Sequence, residues 1–325
     1  RRASGCSAAS GHSLCFLHRK FLVDMKKVNT RTLIAITALL LFGCESYDQD
    51  DYREYIVVEG YAVAGQSLPD IRLSTTAPAD AEYSFEDNFI RNAIVLVTLL
   101  DENGEAEEVF EYVESTEEPG VYLPAIITYQ VEALRTYKLD VVFTDRDEQI
   151  SAITTVPDQV EVVNEIPESV VYQSENQLEI ILAEPVQITG QNVFVFNTIS
   201  LEPAIDNLTP FYFSVLEDEE DVDISEYVRN SSGLINEGNF DPLPDGTILL
   251  RFPWIGVAFY GENLVVTLSV DENLSDVIRS QDVQLGGSTL SPGEIPNLLY
   301  NIEGGIGVFG SLTADTIRTS FSRPF

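Results

Sequence analysis

The sequence predicts an all-β protein built as two antiparallel β-sandwich domains, the second carrying at least one short helix. Three observations lead there. Short runs rich in β-branched and aromatic residues recur along the chain, with turn signals between them. No convincing helical period separates these runs, which speaks against βαβ units. Finally, Pro157 and Pro167 bracket VPDQVEVVNEIP, where one series of strands ends and a second begins.

The chain opens with a segment outside that fold. Residues 1–24 hold Cys6, Cys15, His12 and His18 and no methionine, and Met25 is the only methionine of the chain. They read as translated upstream sequence, and the cysteines have no metal-finger spacing to the histidines. Residues 25–43 read as the signal peptide of a bacterial lipoprotein. Lys26, Lys27 and Arg31 form its positive end, Thr32 to Phe42 its apolar run, and Leu41-Phe42-Gly43-Cys44 its lipobox. The apolar run is short for a membrane span, which takes about 20 residues. An uncleaved anchor or an apolar strand is the alternative. On the lipoprotein reading Cys44 takes the lipid and becomes the first mature residue, and two or more acyl chains hold a protein on a membrane.

From Cys44 to Phe325 there are 282 residues, enough for one large or two ordinary domains with real cores. Seven of the 18 basic residues and only one of the 53 acidic ones precede Cys44, leaving a net charge of −41 beyond it. That field repels phosphate backbones, so nucleic acid is not an expected partner, and it favours divalent cations. A solvated, aggregation-resistant surface is the plainer account of the charge. Both histidines and two of the three cysteines lie upstream. Ser-His-Asp and Cys-His nucleophile systems are thereby excluded from the mature chain, as is zinc held by Cys or His. Carboxylate chemistry of the glycosidase kind survives, but no acid pair stands out.

Glu45–Arg53 (ESYDQDDYR) completes an acidic tether over 44–53, without apolar period. The first sandwich, residues 54–158, is predicted from strands at 55–63, 70–76, 93–100, 107–113, 136–143 and 149–156. In TYKLDVVF, Tyr137, Leu139, Val141 and Phe143 alternate onto one face, placing Lys138, the only lysine after Cys44, on the other. It reads as an exposed strand lysine rather than a Schiff-base or dyad group. DENGE (101–105) reads as a hairpin turn, since the rest of a calcium loop is missing.

The second domain, residues 159–325, is predicted from strands at 178–184, 192–200, 210–217, 247–252 and 263–270. A helix follows, capped by Asp271 or Asn273, with Leu274, Val277 and Ile278 at helical spacing. In RFPWIGVAFYG (251–261), Trp254 and Tyr260, with Phe252 and Phe259, offer a stacking platform for a ligand, although such clusters are more often core. LEDEEDVDISE (216–226) supplies hard oxygens, with Asp218, Glu220, Asp221, Asp223 and Glu226 as candidate ligands of a weak calcium site. A solvated acidic loop is the alternative. Gly305 to Gly310 spell GxGxxG, yet no helix pattern opens there, so the glycines are read as a bend or bulge in a late hairpin. No other cofactor is implied.

Three stretches, YIVVEGYAVAGQSLPDIRLSTTAP (55–78), FDPLPDGTILL (240–250) and NIEGGIGVFG (301–310), resemble in this order a large family of Bacteroidetes lipoproteins catalogued as domain of unknown function 4249. The likeness covers nearly the whole mature chain, and the acidic residues after Cys44 resemble the surface-export signals of such lipoproteins. It implies an immunoglobulin-like or transthyretin-like first sandwich, lipid anchoring at the outer membrane facing the cell surface, and genes near TonB-dependent β-barrel receptors. It supplies no catalytic residues. The expected role is therefore binding, as a receptor accessory in nutrient uptake rather than as an enzyme. A carboxylate-based glycan hydrolase and an adhesion or surface-structure module stay open beside it.

Overall fold

The computed structural model describes residues 52–78, 81–186, 191–218, 223–286 and 298–324, the side chains of 218 and 282–286 excepted. Cys44 and the segments read as leader and signal peptide lie outside the described residues. Glu54–Phe325 form one compact unit. Its elements are β1 (Ile56–Val63), β2 (Ile71–Thr75), α1 (Phe85–Asn88), β3 (Ala93–Leu100), β4 (Ala106–Glu114), β5 (Val121–Pro124), β6 (Thr136–Phe143) and β7 (Gln149–Thr155). There follow β8 (Ser169–Val171), β9 (Glu179–Leu182), β10 (Val193–Ser200), α2 (Pro210–Asp218), β11 (Arg229–Ser231), β12 (Ile235–Asn236), β13 (Asp241–Pro242) and β14 (Ile248–Arg251). β15 (Gly261–Val270), α3 (Glu272–Gly286) and β16 (Ile306–Ser322) complete the chain. The protein is predominantly β.

Thirteen strands share one sheet, in the order β11-β10-β15-β16-β1-β2-β5-β4-β3-β6-β7, with β12 on β10 and β8 on β16. A second sheet runs β13-β14-β9. The pairing is antiparallel with two exceptions, for β16 runs parallel to β1 and to β8. An antiparallel reading missed these two because parallel partners are far apart in sequence. At the other end of the row, Ser151 of β7 bridges Glu303, just before β16, through N–H···O bonds of 3.2 and 2.8 Å. The first half of the sheet thus wraps round and returns to its own start.

Strand alternation fills the enclosed space. On β6, Tyr137, Leu139, Val141 and Phe143 are buried, while Lys138 on the opposite face pairs with Asp140 at 2.7 Å. Val58, Leu73, Val97 and Phe110 join that core, and so do Ile302 and Phe309 from the far end of the chain. A second core gathers Leu178, Ile180, Phe194, Phe196, Phe252 and Phe321 between the two sheets. Burying each such side chain contributes about 1.5–3 kcal/mol. A smaller cluster, including Val193, Val270 and Val308, lies under Leu274 of α3.

DENGE forms the β3–β4 turn. Oδ1 of Asp101 accepts the backbone N–H groups of Asn103 and Glu105 at 2.9 and 2.8 Å, and Gly104 takes φ +79°. The N–H of Glu105 comes first among the bonds that hold the Asp101 carboxyl below its usual range. At the GxGxxG stretch, Gly304 and Gly307 both have positive φ, and a Cβ on Gly307 would stand 2.1 Å from the Val58 carbonyl oxygen. The glycines allow the turn into β16 and its close approach to β1, rather than a dinucleotide loop. The strand expected at 210–217 is instead the helix α2. Pro210 suits the first helical position, and helical spacing puts Tyr212 and Leu216 inward while Phe211 and Phe213 stay exposed.

Candidate functional site

The 251–261 segment folds back on itself, which separates its aromatic residues. A 3-10 turn, Trp254–Gly256, sends the half-buried Trp254 toward Tyr172, with ring centroids 5.4 Å apart. Tyr260 is buried, meets the same Tyr172 edge-on at 5.5 Å, and lies under the Arg323 guanidinium. Trp254 and Tyr260 thus pack on one core tyrosine. The opposite side of the same turn, with Phe252, Pro253, Ile255 and Gly256, lines a cavity of about 350 Å³.

That cavity is assembled from four parts of the fold. Phe196 enters from β10, Leu250 from β14, Tyr212 from α2, and Asn230, Ser231 and Ile235 from the short strands on the β10 edge. Gly256 fits because a Cβ there would sit 2.5 Å from the Phe252 ring. Its carbonyl accepts the Thr198 hydroxyl at 2.5 Å, which pins the turn to β10. The Tyr212 hydroxyl donates to the Ile255 carbonyl at 2.8 Å and accepts from Asn230 Nδ2 at 2.6 Å. The second Asn230 amide proton also goes to Ile255, at 3.0 Å. Burial raises the Tyr212 pKa, so this hydroxyl stays a neutral donor at physiological pH. An apolar cavity with a few converging polar groups is the usual form of a small-molecule site. Among its described lining residues Tyr212 is the one ionisable side chain.

A second, polar cleft of about 550 Å³ lies where β7 meets α3, lined by Thr155, Asn192, Asn236, Asp271, Glu272 and Arg279 among others. Asp271 is the buried carboxylate of this region, and its oxygens are engaged. Oδ1 caps α3 through the Leu274 N–H at 2.9 Å, while Oδ2 accepts from the Thr154 hydroxyl at 2.6 Å and Asn273 at 3.0 Å. Burial pushes its pKa up. A carboxylate so occupied acts as a helix cap and seam, not as one of two free catalytic acids.

Of the acidic stretch, Asp223 and Glu226 are described, while Glu220 and Asp221 lie outside the described residues, as does the Asp218 side chain. Asp223 caps the turn Ile224–Tyr227, its Oδ1 accepting from the Ser225 N–H at 2.9 Å. That bond lowers its pKa. Among the described residues no group of three or more His, Cys, Asp or Glu is placed to hold a metal. Asn230 and Ser231 carried no signal in the sequence, since RNSSG reads as an ordinary turn. Phe252 was visible, but the direction of its neighbours was not.

The model of one protein family matches residues 45–318. The chain belongs to the family described as Domain of unknown function (DUF4249). No curated protein matches this DUF4249 chain. Among solved structures it is similar to a tetra-tandem repeat from the extending region of a large adhesion protein, at 12% identity and TM-score 0.23, covering 81% of this chain and 50% of that one. The chain therefore spans half the length of that structure. Three N-terminal domains of the bacteriophage RB49 outer capsid protein Hoc give 12% identity, TM-score 0.21 and coverages of 84% and 71%. Trypsin-activated alpha-2-macroglobulin from Escherichia coli gives 10%, 0.19, 68% and 14%. Scores this low carry no argument about what the DUF4249 chain does.

Proposed function

We propose that this DUF4249 protein is an exported, lipid-anchored protein that works by binding, as an accessory to a TonB-dependent receptor in the outer membrane. The observation that carries the reading is a junction. The family match begins at residue 45, directly after the cysteine of the LFGC lipobox, so the segment shared with relatives starts where signal cleavage and lipidation would leave the mature chain. Tethering raises the effective concentration of the β body toward a partner in the same membrane without any strong contact. Binding fits the described body as well, where the cavity beside Ile255 is mostly apolar and the buried Asp271 carboxylate in the polar cleft is committed to capping a helix. The receptor itself comes from the family resemblance.

Two measurements test this. Alkyne fatty acid fed to cells is expected to label the wild type and leave Cys44→Ser unlabelled, with an intact mass that starts at Cys44. Retention of residues 25–43 would defeat the anchoring half of the reading. Crosslinking in intact cells, followed by mass spectrometry, is expected to recover a β-barrel receptor. Recovery of none, together with glycan turnover abolished by changing a carboxylate pair, would move the assignment to a hydrolase.

A further inference from the structure

We infer that the outer face of strands β5-β4-β3-β6 is where the receptor docks, through an aliphatic strip on the receptor that carries an arginine or lysine. The inference rests on the receptor reading and gives that partner a place on the fold. Strand register supplies the first observation. Val142 of β6 stands opposite Ile94 of β3, and Val113 of β4 stands opposite Leu123 of β5. Leu96 pairs with Glu111, so two residues further on Ile94 comes level with Val113. The Asn92 N–H, reaching the Glu114 carboxylate at 3.1 Å, keeps the two chains together there. Val142, Ile94, Val113 and Leu123 thus form one row across four neighbouring strands, at 41%, 53%, 58% and 38% exposed. The solvated face of an antiparallel sheet ordinarily turns polar side chains outward. Single exposed apolar residues need no explanation, whereas a contiguous row marks an interaction surface.

Position and charge say what covers the row. Val142 and Gln149 form the last rung before the β6–β7 hairpin, and Arg146 of that hairpin pairs with Glu54 at 3.1 Å. The row therefore lies at the end of the body where the chain enters. Cys44 precedes Glu54 by ten positions, a reach of about 35 Å at full extension. A lipid on Cys44 holds this end of the body within that distance of the bilayer, where a membrane-embedded partner stands. Glu111 sits on the same face, between Val109 and Val113 on its own strand and level with Leu96. The ion pairs around it are Lys138 with Asp140 and Arg91 with Glu114, and among the described residues none reaches Glu111. An apolar cover alone would strand that carboxylate away from water, so the partner must bring a cation. A second copy of the chain fits poorly. Lys138, the only lysine after Cys44, is already held by Asp140 at 2.7 Å, and a net charge of −35 on each chain opposes self-association.

The test uses the full-length protein in intact cells, with the photocrosslinker p-benzoylphenylalanine placed singly at Ile94, at Val113 and, as a control on another exposed apolar surface, at Phe211 of α2. Irradiation is expected to join positions 94 and 113 to a β-barrel receptor, identified by mass spectrometry, with several-fold less adduct from position 211. Glu111→Lys, a change at an exposed position that leaves the thermal melt unaltered, is expected to lower the yield from position 94 about tenfold by setting like charges across the contact. Glu111→Gln should lower it less. Equal yields from 211, adducts joining 94 and 113 to a second copy of the chain or to lipid, or a yield unchanged by Glu111→Lys would each overturn the assignment. If neither 94 nor 113 gives a receptor adduct while general crosslinking still recovers the receptor, this face is wrong and the receptor reading stands. If neither method recovers a receptor, both fall together.

Discussion

Asp271 shows how one residue does three jobs. It caps α3, accepts a hydroxyl from Thr154 of β7, and donates its own N–H to the Ser311 carbonyl of β16 at 3.0 Å. The same Thr154 hydroxyl oxygen lies in hydrogen-bond contact with Ser311 Oγ at 2.7 Å. The folded protein therefore keeps a carboxylate where burial raises its pKa, against the bonds from Thr154, Leu274 and Asn273. Because the folded state holds that proton more tightly than the unfolded one, the stabilisation linked to it is complete below the unfolded value of about 3.9. It is lost as pH rises through the folded value. Asp271→Asn removes the titration and keeps an oxygen for the cap. In urea melts from about pH 3.5 to 7, the stability difference is expected to move in the variant's favour as pH rises. A constant difference would show that the group titrates alike in both states. The cap itself was readable from the sequence, whereas Thr154 and Ser311, the partners that make it a seam, were not.

Among the elements, β16 matters most and was the hardest to see. Its 17 residues reach roughly 55 Å at the usual rise per residue. One face carries Phe309 in the first core, then Ser311, Thr313 and Asp315, and then Ile317 and Phe321 in the second core. The polar middle has a purpose. The connection after β7 bridges β9 at Val162–Leu182 but is not laddered to β16, so side chains of β16 supply the bonds to it: the Thr313 hydroxyl donates to the Asp158 carbonyl and that of Thr319 to the Pro167 carbonyl, both at 2.8 Å, and Asp315 accepts from the Val162 N–H at 2.8 Å. A strand with buried threonines and serines lacks the apolar alternation that marks strands in sequence, which is why only its glycine-rich start drew attention. That start is testable. Gly307→Ala meets both φ +111° and the Val58 carbonyl, and is expected to cost about 2–4 kcal/mol in urea unfolding. Gly104→Ala, where nothing lies within 4 Å, is expected to cost only the backbone term of about 1–2 kcal/mol. Equal costs would mean that the contact with β1 is not tight. The helix α2 was misread for the complementary reason, since Phe211, Phe213 and Val215 imitate strand alternation while Tyr212 and Leu216 do the packing.

At the scale of the whole unit, β16 joins both cores, pairing with β1 over Ile306–Leu312 and with β15 over Leu312–Phe321. The first core also contains Ile302 and Phe309, so a fragment of residues 54–158 would expose the seats of both. That fragment is expected to lack dispersed NMR signals alone and to gain them when a peptide spanning 301–312 is added. The full protein is expected to unfold in one calorimetric transition, because losing β16 disrupts both cores together. A well-folded 54–158 fragment, or two separate transitions, would refute this coupling.

Local pattern was enough for the β class, most strands of the first half, the DENGE turn, the face of Lys138 and the helix after Asp271. These rest on contacts within a few residues, where side-chain period and turn chemistry act directly. It took the folded chain to settle that β16 runs parallel to β1, that Ser151 closes the first half on Glu303, and that Phe252, Tyr212 and Asn230 share a cavity while Trp254 and Tyr260 turn away to Tyr172. One cause underlies each case. These partners are separated by distances from 18 residues, for Tyr212 and Asn230, up to hundreds, for β1 and β16, and which of several chemically suitable surfaces meet is settled by chain path and packing, which no local pattern encodes.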